Sequence, residues 1–286
     1  MLSLRTVYML AGDHRWQWEE WCDANGVARQ RIPEVKELIV DAFLAARVQS
    51  PQVAIDGALL LDTQYGAAAI ARAIREGVTI GSPAERAGSF PLEWPAADFS
   101  SRLPGAFAKV LIKDRPDYDP AIRASQRDKL LELQRWCRAH RRQLLIEVLV
   151  PRQDEAGEDF EERGRPLAIA SAIRDAYAAG IEPEFWKIEG TTSANGARLV
   201  DTAIAERPHS RLIILGKNAD PALIGRWFAS AAACPTAAGF AIGRSVFWKP
   251  CVAFLQGTAT AEQAVAAMIE TYLALVEAWN RALTRT

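Results

Sequence analysis

Histidine is scarce in this sequence, and its few cysteines show no pattern. The 286 residues include three His and four Cys. Cys22, Cys137, Cys234 and Cys251 stand far apart, with none of the paired spacings of a disulfide framework or a zinc site. We therefore expect reduced, mostly buried thiols.

A basic excess and a long hydrophobic run are also missing. The formal net charge is −1, from 34 Lys and Arg against 35 Asp and Glu, so nothing favours nucleic acid as a partner. The N-terminal run 7–11 is far too short to span a bilayer and leads directly into Asp13-His14-Arg15. We expect a soluble cytoplasmic protein with no membrane segment.

The sequence does contain a regular alternation of short apolar runs and segments with helical periodicity. This alternation is typical of a parallel sheet covered by helices. It predicts eight strands, at residues 7–12, 53–61, 78–82, 107–113, 144–150, 185–189, 212–216 and 239–243. It predicts helices at 33–47, 67–76, 122–140, 166–179, 197–206, 222–233 and 261–284.

Eight such units without a long linker predict an α/β fold, a single (β/α)8 TIM barrel that forms one domain over residues 1–286. Only segment 86–105, rich in Pro, Gly and Ser, interrupts the rhythm. A doubly wound open sheet is the alternative. The first strand is followed by Gly12-Asp13-His14-Arg15, however, which lacks the glycine-rich turn that binds dinucleotides.

In such barrels the functional residues lie at the carboxyl ends of the strands. Of the histidines, only His14 lies at that end, so no His cluster can hold a metal ion there, and we expect neither a metal nor a cofactor. A magnesium site formed by carboxylates is the remaining metal alternative, with Asp13, Asp62 and Glu85 as its ligands.

Lys187 lies in mid-strand, in the segment Phe-Trp-Lys-Ile-Glu at 185–189. Its bulky apolar neighbours disfavour the ammonium form by desolvation, and a neutral amine is the form that attacks a ketone. Lys109, within strand four, adds a second interior ammonium whose repulsion favours a neutral Lys187. We predict that Lys187 is the nucleophile that forms a Schiff base. The alternative is a structural ion pair with Glu189, on the same face of the strand.

Glu147 repeats the pattern on strand five, the neighbour of both lysine strands. We predict that it is the acid/base that moves a proton at the hydroxyl of the bond being cleaved. The alternative is a salt-bridge partner that keeps both lysines charged and idle.

The ends of strands seven and eight read Leu-Gly-Lys-Asn at 215–218 and Gly-Phe-Ala-Ile-Gly-Arg at 239–244. In many barrels these two loops bind phosphate, because glycine lets the backbone approach and a helix N-terminus or a basic side chain adds positive potential. We predict a phosphate site at Gly216, Gly243 and Arg244. Simple turn chemistry at Gly243 is the alternative.

Taken together, several segments resemble a bacterial barrel family. They are Asp-His-Arg at 13–15, Leu-Leu-Leu-Asp-Thr-Gln-Tyr-Gly at 59–66, Lys109, the Glu147 strand, Trp-Lys-Ile-Glu at 186–189 and the glycine-arginine end of strand eight. The family is best known as the C-terminal half of the fused sugar kinase and aldolase of inositol catabolism. It is similar to the tagatose-bisphosphate and sulfofructose-phosphate class I aldolases. Two places depart from its pattern, Gly12 and Lys-Asp-Arg at 113–115.

The resemblance implies cleavage of 2-deoxy-5-keto-gluconate 6-phosphate into dihydroxyacetone phosphate and malonate semialdehyde. By position, it makes Lys187 the Schiff-base lysine, Lys109 the second lysine and Glu147 the acid/base. Asp13 and Arg15 match the polar pair of strand one, and Gly243 with Arg244 match the phosphate clamp. We count Asp13 among the catalytic residues, because it could orient Lys187 or bind a substrate hydroxyl.

Arg15 and Lys113 are candidates for a substrate carboxylate, and Asp62 and Gly216 complete the predicted substrate-binding set. The expected ligand is a small phosphorylated sugar acid or ketose, and we expect a homo-oligomer. Two further alternatives are a barrel that binds a sugar phosphate without catalysis and a metal-dependent lyase.

Overall fold

The computed structural model describes residues 1–96, 98–154 and 157–284, which form a closed barrel of eight parallel strands. Each strand pairs with the one before it, and β1 pairs with β8 to close the ring. The strands are β1 (Val7–Gly12), β2 (Gly57–Leu61), β3 (Ile80–Pro83), β4 (Phe107–Lys113), β5 (Gln143–Leu149), β6 (Phe185–Glu189), β7 (Arg211–Leu215) and β8 (Ala237–Ile242).

The helices cover the outside of the barrel. They are α1 (Trp16–Asn25), α2 (Ile32–Gln49), α3 (Pro51–Asp56), α4 (Thr63–Arg75), α5 (Pro120–Ala139), α6 (Gly157–Asp159), α7 (Arg165–Ala178), α8 (Ala194–Ala205), α9 (Pro221–Ala232), α10 (Arg244–Leu255) and α11 (Ala261–Leu283). The predicted (β/α)8 TIM barrel is confirmed. The predicted domain 1–286 and the irregular segment 86–105 each include residues outside the described set.

Several elements differ from the prediction, among them β2 and α10. The run 53–61 was expected to be all strand, but its first residues belong to α3, which begins at Pro51 and is capped by the Ser50 hydroxyl. The chain then turns sharply at Gly57, where a Cβ atom would lie 2.3 Å from the Val53 carbonyl oxygen. The second difference is α10, a helix that the sequence pattern does not predict and that starts directly after β8.

The alternation of side chains along the strands separates two apolar layers. One layer lies between sheet and helices, and the other fills the barrel interior with residues such as Met9, Phe107, Leu145 and Phe185. Two residues further along β4, β5 and β6, on the same interior face, come Lys109, Glu147 and Lys187. The apolar interior therefore ends where a charged layer begins, at the carboxyl mouth of the barrel.

Among the described residues, no helix is both long enough and apolar enough to cross a membrane.

Candidate functional site

An open cavity of about 800 Å³ lies at the carboxyl ends of the strands. Eight of the ten predicted site residues line it, from β4, β5, β6 and the segments after β1, β7 and β8. They are Asp13, Arg15, Lys109, Glu147, Lys187, Gly216, Gly243 and Arg244.

Three carboxylates surround the ammonium group of Lys109. Its Nζ atom lies 3.1 Å from Asp13 Oδ2, 3.0 Å from Glu85 Oε1 and 3.0 Å from Glu147 Oε2. Burial opposes the charged form, but the three carboxylates outweigh it and raise the pKa of Lys109 above its ordinary value. Lys109 is therefore a fixed cation.

Glu147 joins the two interior lysines. Residues 147 and 187 are direct partners across β5 and β6, and Glu147 Oε2 lies 3.1 Å from Lys187 Nζ while it also contacts Lys109. Burial favours the neutral carboxylic acid, yet the two ammonium groups prevail and lower the pKa of Glu147. In the resting site Glu147 is a carboxylate, the form that accepts a proton.

Arg15 binds Glu85, which lies two residues after the end of β3. Its Nη1 donates to the Glu85 carbonyl oxygen at 3.0 Å and its Nη2 to Oε1 at 3.3 Å. Glu85 Oε2 also accepts from the backbone N–H of Leu111. The charge of Arg15 is thus compensated within the protein.

His14 is neutral in this site. Its ring lines the cavity and packs edge-on against Phe247, with centroids 5.4 Å apart. Burial lowers the pKa of His14 to about 3, although Asp13 favours its charged form.

The predicted phosphate residues form one wall of the cavity. A Cβ atom at Gly243 would lie 2.0 Å from the Ala11 carbonyl oxygen, and one at Gly216 would lie 2.9 Å from the Ile242 side chain, so only glycine fits without displacement. Helix α10 starts at Arg244 beside this wall. Among the described residues, Arg244 has no ion pair or hydrogen bond through its side chain, and burial lowers its pKa.

Asp62 lies behind the cavity and does not line it. It is fully buried, caps α4 by accepting from Tyr65 N at 2.9 Å, and pairs with Lys36 Nζ at 2.7 Å. Lys36 also donates to the carbonyl oxygens of Gly12 and His14, at 2.6 and 2.7 Å. The pair thus fixes the end of β1 on both sides of Asp13. Sequence reasoning missed Lys36, whose only signal is a charge within an apolar helical run.

Lys113 also lies outside the cavity lining. Its ammonium nitrogen is 5.9 Å from the centroid of the Phe90 ring. The carboxylates considered for magnesium point in different directions, since Asp13 and Glu85 contact Lys109 while Asp62 contacts Lys36. Within the described ranges, no three His, Cys, Asp or Glu are grouped to hold a metal ion.

Glu189 does not form the structural pair with Lys187 that was considered as an alternative. It accepts instead from Arg165 Nη1 at 2.8 Å and from Lys217 Nζ at 2.7 Å. Lys217, in the loop after β7, lines the cavity with Trp16 and Gln17. None of these three was in the predicted site.

Fold and site together define a parallel (β/α)8 barrel with a cluster of amines and carboxylates in its mouth. The chain belongs to the family described as "Uncharacterized protein conserved in bacteria (DUF2090)", whose profile matches residues 3–283. Among solved structures it is similar to Cgl0159 from Corynebacterium glutamicum (Brevibacterium flavum), at 14% identity and a TM-score of 0.61. That match covers 95% of this chain and 88% of the other, and it supports the fold. No curated protein matches this amino-acid sequence.

The position of Asp62 predicts a structural role that can be measured. Asp62→Asn keeps a helix-capping side chain but leaves the buried Lys36 ammonium without its counter-charge, so the free energy of unfolding should fall by about 3 kcal/mol in urea titrations. Asp41→Asn is the matched control, because Asp41 pairs with Arg72 at the surface and its loss should cost at most about 1 kcal/mol. Equal effects would contradict the buried-pair assignment.

The low pKa of His14 predicts a pH dependence of stability. In the unfolded chain, His14 takes up a proton as the pH falls below its ordinary pKa of about 6.5. In the folded protein it takes up that proton only near pH 3. Stability from His14 is therefore fully present above about pH 6.5 and is lost as pH falls towards 3. Urea unfolding at about pH 7 and about pH 5 should show a larger loss for the wild type than for His14→Gln. Identical losses would place a charged His14 in the folded protein.

Proposed function

We propose that this protein is a metal-independent class I aldolase that cleaves a phosphorylated keto sugar acid or ketose through a Schiff base on Lys187. One observation carries the proposal: Lys109 Nζ and Lys187 Nζ lie 3.0 and 3.1 Å from the same oxygen, Glu147 Oε2, in the cavity at the mouth of the barrel. This arrangement provides an amine, a fixed cation and a shared acid/base at one point.

The contacts distinguish the two lysines. Lys109 is held by three carboxylates and keeps its charge, whereas Lys187 forms one ion pair with the described residues. Transfer of a proton from Lys187 to Glu147 leaves a neutral amine beside the ammonium of Lys109. Lys187 is therefore the group that attacks the substrate ketone.

The reaction then follows from these positions. The Lys187 nitrogen adds to the carbonyl carbon, and Glu147 gives its proton to the departing hydroxyl. Loss of water then leaves a protonated imine and returns Glu147 to the carboxylate form. Glu147 removes the proton from the hydroxyl two carbons away, and the carbon–carbon bond breaks with its electron pair passing to the imine. The aldehyde leaves, the resulting enamine on Lys187 is protonated at carbon, and water hydrolyses the imine to release the ketone product.

The charge of the site favours the protonated imine. Three cations, Arg15, Lys109 and Lys187, face three carboxylates, Asp13, Glu85 and Glu147. The iminium places a positive charge where the Lys187 ammonium stood, beside the ionised Glu147, and so keeps this pairing. The fixed charges of the barrel thus stabilise the intermediate that collects the electrons.

Arg244, Gly216 and Gly243 are proposed to bind the phosphate of the substrate. The resemblance makes 2-deoxy-5-keto-gluconate 6-phosphate the first substrate to test, in an enzyme of inositol catabolism. A ketose of the tagatose-bisphosphate or sulfofructose-phosphate type is the alternative. A cytoplasmic location and a homo-oligomeric state belong to the same proposal.

The proposal predicts a trappable adduct. Borohydride added with dihydroxyacetone phosphate should reduce the imine and fix a three-carbon phosphate on Lys187, detected by mass spectrometry of tryptic peptides. Lys187→Met should abolish labelling and cleavage. Glu147→Gln should still label but cleave more slowly, by about 10²–10⁴-fold, because it lacks the proton acceptor.

The same experiment separates the alternatives. A barrel that only binds sugar phosphates gives no adduct, and a metal-dependent lyase gives none while losing turnover in chelator. An adduct on Lys109 would keep the aldolase class and refute Lys187 as the nucleophile.

Arg244 predicts selective loss of phosphorylated ligands. Arg244→Ala should weaken dihydroxyacetone phosphate by about tenfold or more, as measured by the concentration that half-saturates labelling, and should affect unphosphorylated dihydroxyacetone little. Lys249→Ala is the matched control, because it removes one cation from the exposed side of the same helix α10. Equal loss for both ligands would remove Arg244 from the phosphate site.

A further inference from the structure

We infer that Lys217 is a mobile cation of the phosphate site: when the phosphate of the substrate binds, the Lys217 ammonium leaves Glu189 and closes on the anion together with Arg244. The inference rests on the proposed function, because that function places a phosphate at Gly216, Gly243 and Arg244. It adds a binding residue that was not in the predicted site.

The charge of a phosphate gives the first reason. A phosphate monoester carries a charge of about −1.5 to −2 near pH 7 and has three strong acceptor oxygens. Arg244 supplies one positive charge, and it already interacts electrostatically with Glu147 and Asp13. A second cation beside Arg244 is therefore needed to match the charge of the phosphate.

The cations of the cavity differ in their freedom to move. Among the described residues, four cationic side chains line the cavity besides Arg244, namely Arg15, Lys109, Lys187 and Lys217. The first three are buried and are held by the carboxylates described above. The side chain of Lys217 is 53% exposed and pairs with Glu189 alone. Lys217 is thus the cation that can change partners.

Glu189 does not depend on Lys217 for its counter-charge. The same atom, Glu189 Oε1, accepts from Lys217 Nζ at 2.7 Å and from Arg165 Nη1 at 2.8 Å. Arg165 is buried and is also fixed by a hydrogen bond from Nη2 to the Gly190 carbonyl oxygen, at 3.2 Å. When Lys217 leaves, the buried Glu189 keeps its buried partner, so the exchange costs little.

The backbone of Lys217 is fixed against the proposed phosphate wall. Lys217 follows Gly216 directly, in a turn closed by a hydrogen bond from Ala219 N to the Gly216 carbonyl oxygen at 2.8 Å. Ser245 Oγ, in the first turn of α10, donates to the Ala219 carbonyl oxygen at 3.1 Å and so joins this turn to the helix of Arg244. The flexible stem of Lys217 therefore starts next to the anion that it is proposed to bind.

The conformation of this turn gives independent support for an anion. Lys217 and Asn218 have φ angles of 45° and 60°, in the left-handed region that residues with side chains rarely adopt and that occurs preferentially at functional sites. Both residues line the cavity. Among the described residues, their backbone N–H groups have no hydrogen-bond partner. Successive free N–H groups of a turn are a recurrent way of binding an anion.

The test measures the binding of inorganic phosphate by titration calorimetry at constant ionic strength. Lys217→Met should raise the Kd of phosphate by about tenfold or more, whereas Lys217→Arg, which keeps the charge, should stay within about threefold of the wild type. Lys249→Met is the matched control, because it removes one lysine charge from the exposed side of α10. A wild type that does not bind phosphate, or equal Kd values for Lys217→Met and Lys249→Met, overturns the inference.

The movement itself is tested by a crystal structure of the wild type with inorganic phosphate. Lys217 Nζ should lie at about 3 Å from a phosphate oxygen, as for a charge-assisted hydrogen bond, and should no longer contact Glu189. Arg165 should keep its contact with Glu189. A bound phosphate with Lys217 still on Glu189 refutes the exchange of partners.

Borohydride labelling keeps this inference apart from the proposed function. Lys217→Met should raise the concentration of dihydroxyacetone phosphate that half-saturates labelling of Lys187 by about tenfold, with the maximal rate and the labelling by unphosphorylated dihydroxyacetone unchanged. If phosphate binding depends on Lys217 but the wild type gives no adduct, the aldolase proposal fails and the inference stands. If Lys217→Met labels with the wild-type half-saturation, or if the adduct forms on Lys217, the inference fails.

Discussion

The ammonium group of Lys109 is the interaction on which the mouth of the barrel depends. Carboxylates from the segments after β1 and β3 and from β5 meet at its nitrogen, at 3.0 to 3.1 Å. Without that cation, Asp13, Glu85 and Glu147 would repel one another in a buried site, and at least some would take up protons. One lysine thus holds three strand ends in register with each other and keeps their carboxylates ionised.

This constraint divides the chemical roles among neighbours. Because Lys109 is held by three carboxylates, we propose that it keeps its positive charge throughout the proposed reaction. One oxygen of Glu147 contacts both lysines, so a proton that leaves Lys187 finds an acceptor 3.1 Å from the Lys187 nitrogen. In the proposed reaction, the mobile proton and the fixed charge therefore meet at one carboxylate oxygen, Glu147 Oε2.

The barrel and the inward charges could be predicted from sequence because both follow from local periodicity. Strands alternate faces, and a charge in the middle of an apolar strand stands out whatever the rest of the fold does. Lys113 shows where periodicity fails. It lies four residues after Lys109 on β4, so the alternation predicts the same inward face. It stands at the end of the strand, however, where the long segment after β3 supplies Phe90 as a neighbour. Asp62 likewise follows a strand, yet the direction of its side chain depends on the ion pair with Lys36, which is distant in sequence.

Gly12 gives a physical meaning to one of the departures from the family pattern. A Cβ atom there would lie 2.8 Å from Leu61 and 3.0 Å from Ile39, so the absence of a side chain lets α2 approach the end of β1. That approach brings Lys36, on the same helix, within 2.6 Å of the Gly12 carbonyl oxygen. The glycine and the buried lysine are therefore parts of one arrangement, in which a close helix replaces a bulky strand residue. The Lys36–Asp62 pair then supports the backbone around Asp13 from outside the barrel, while Lys109 holds its carboxylate from within.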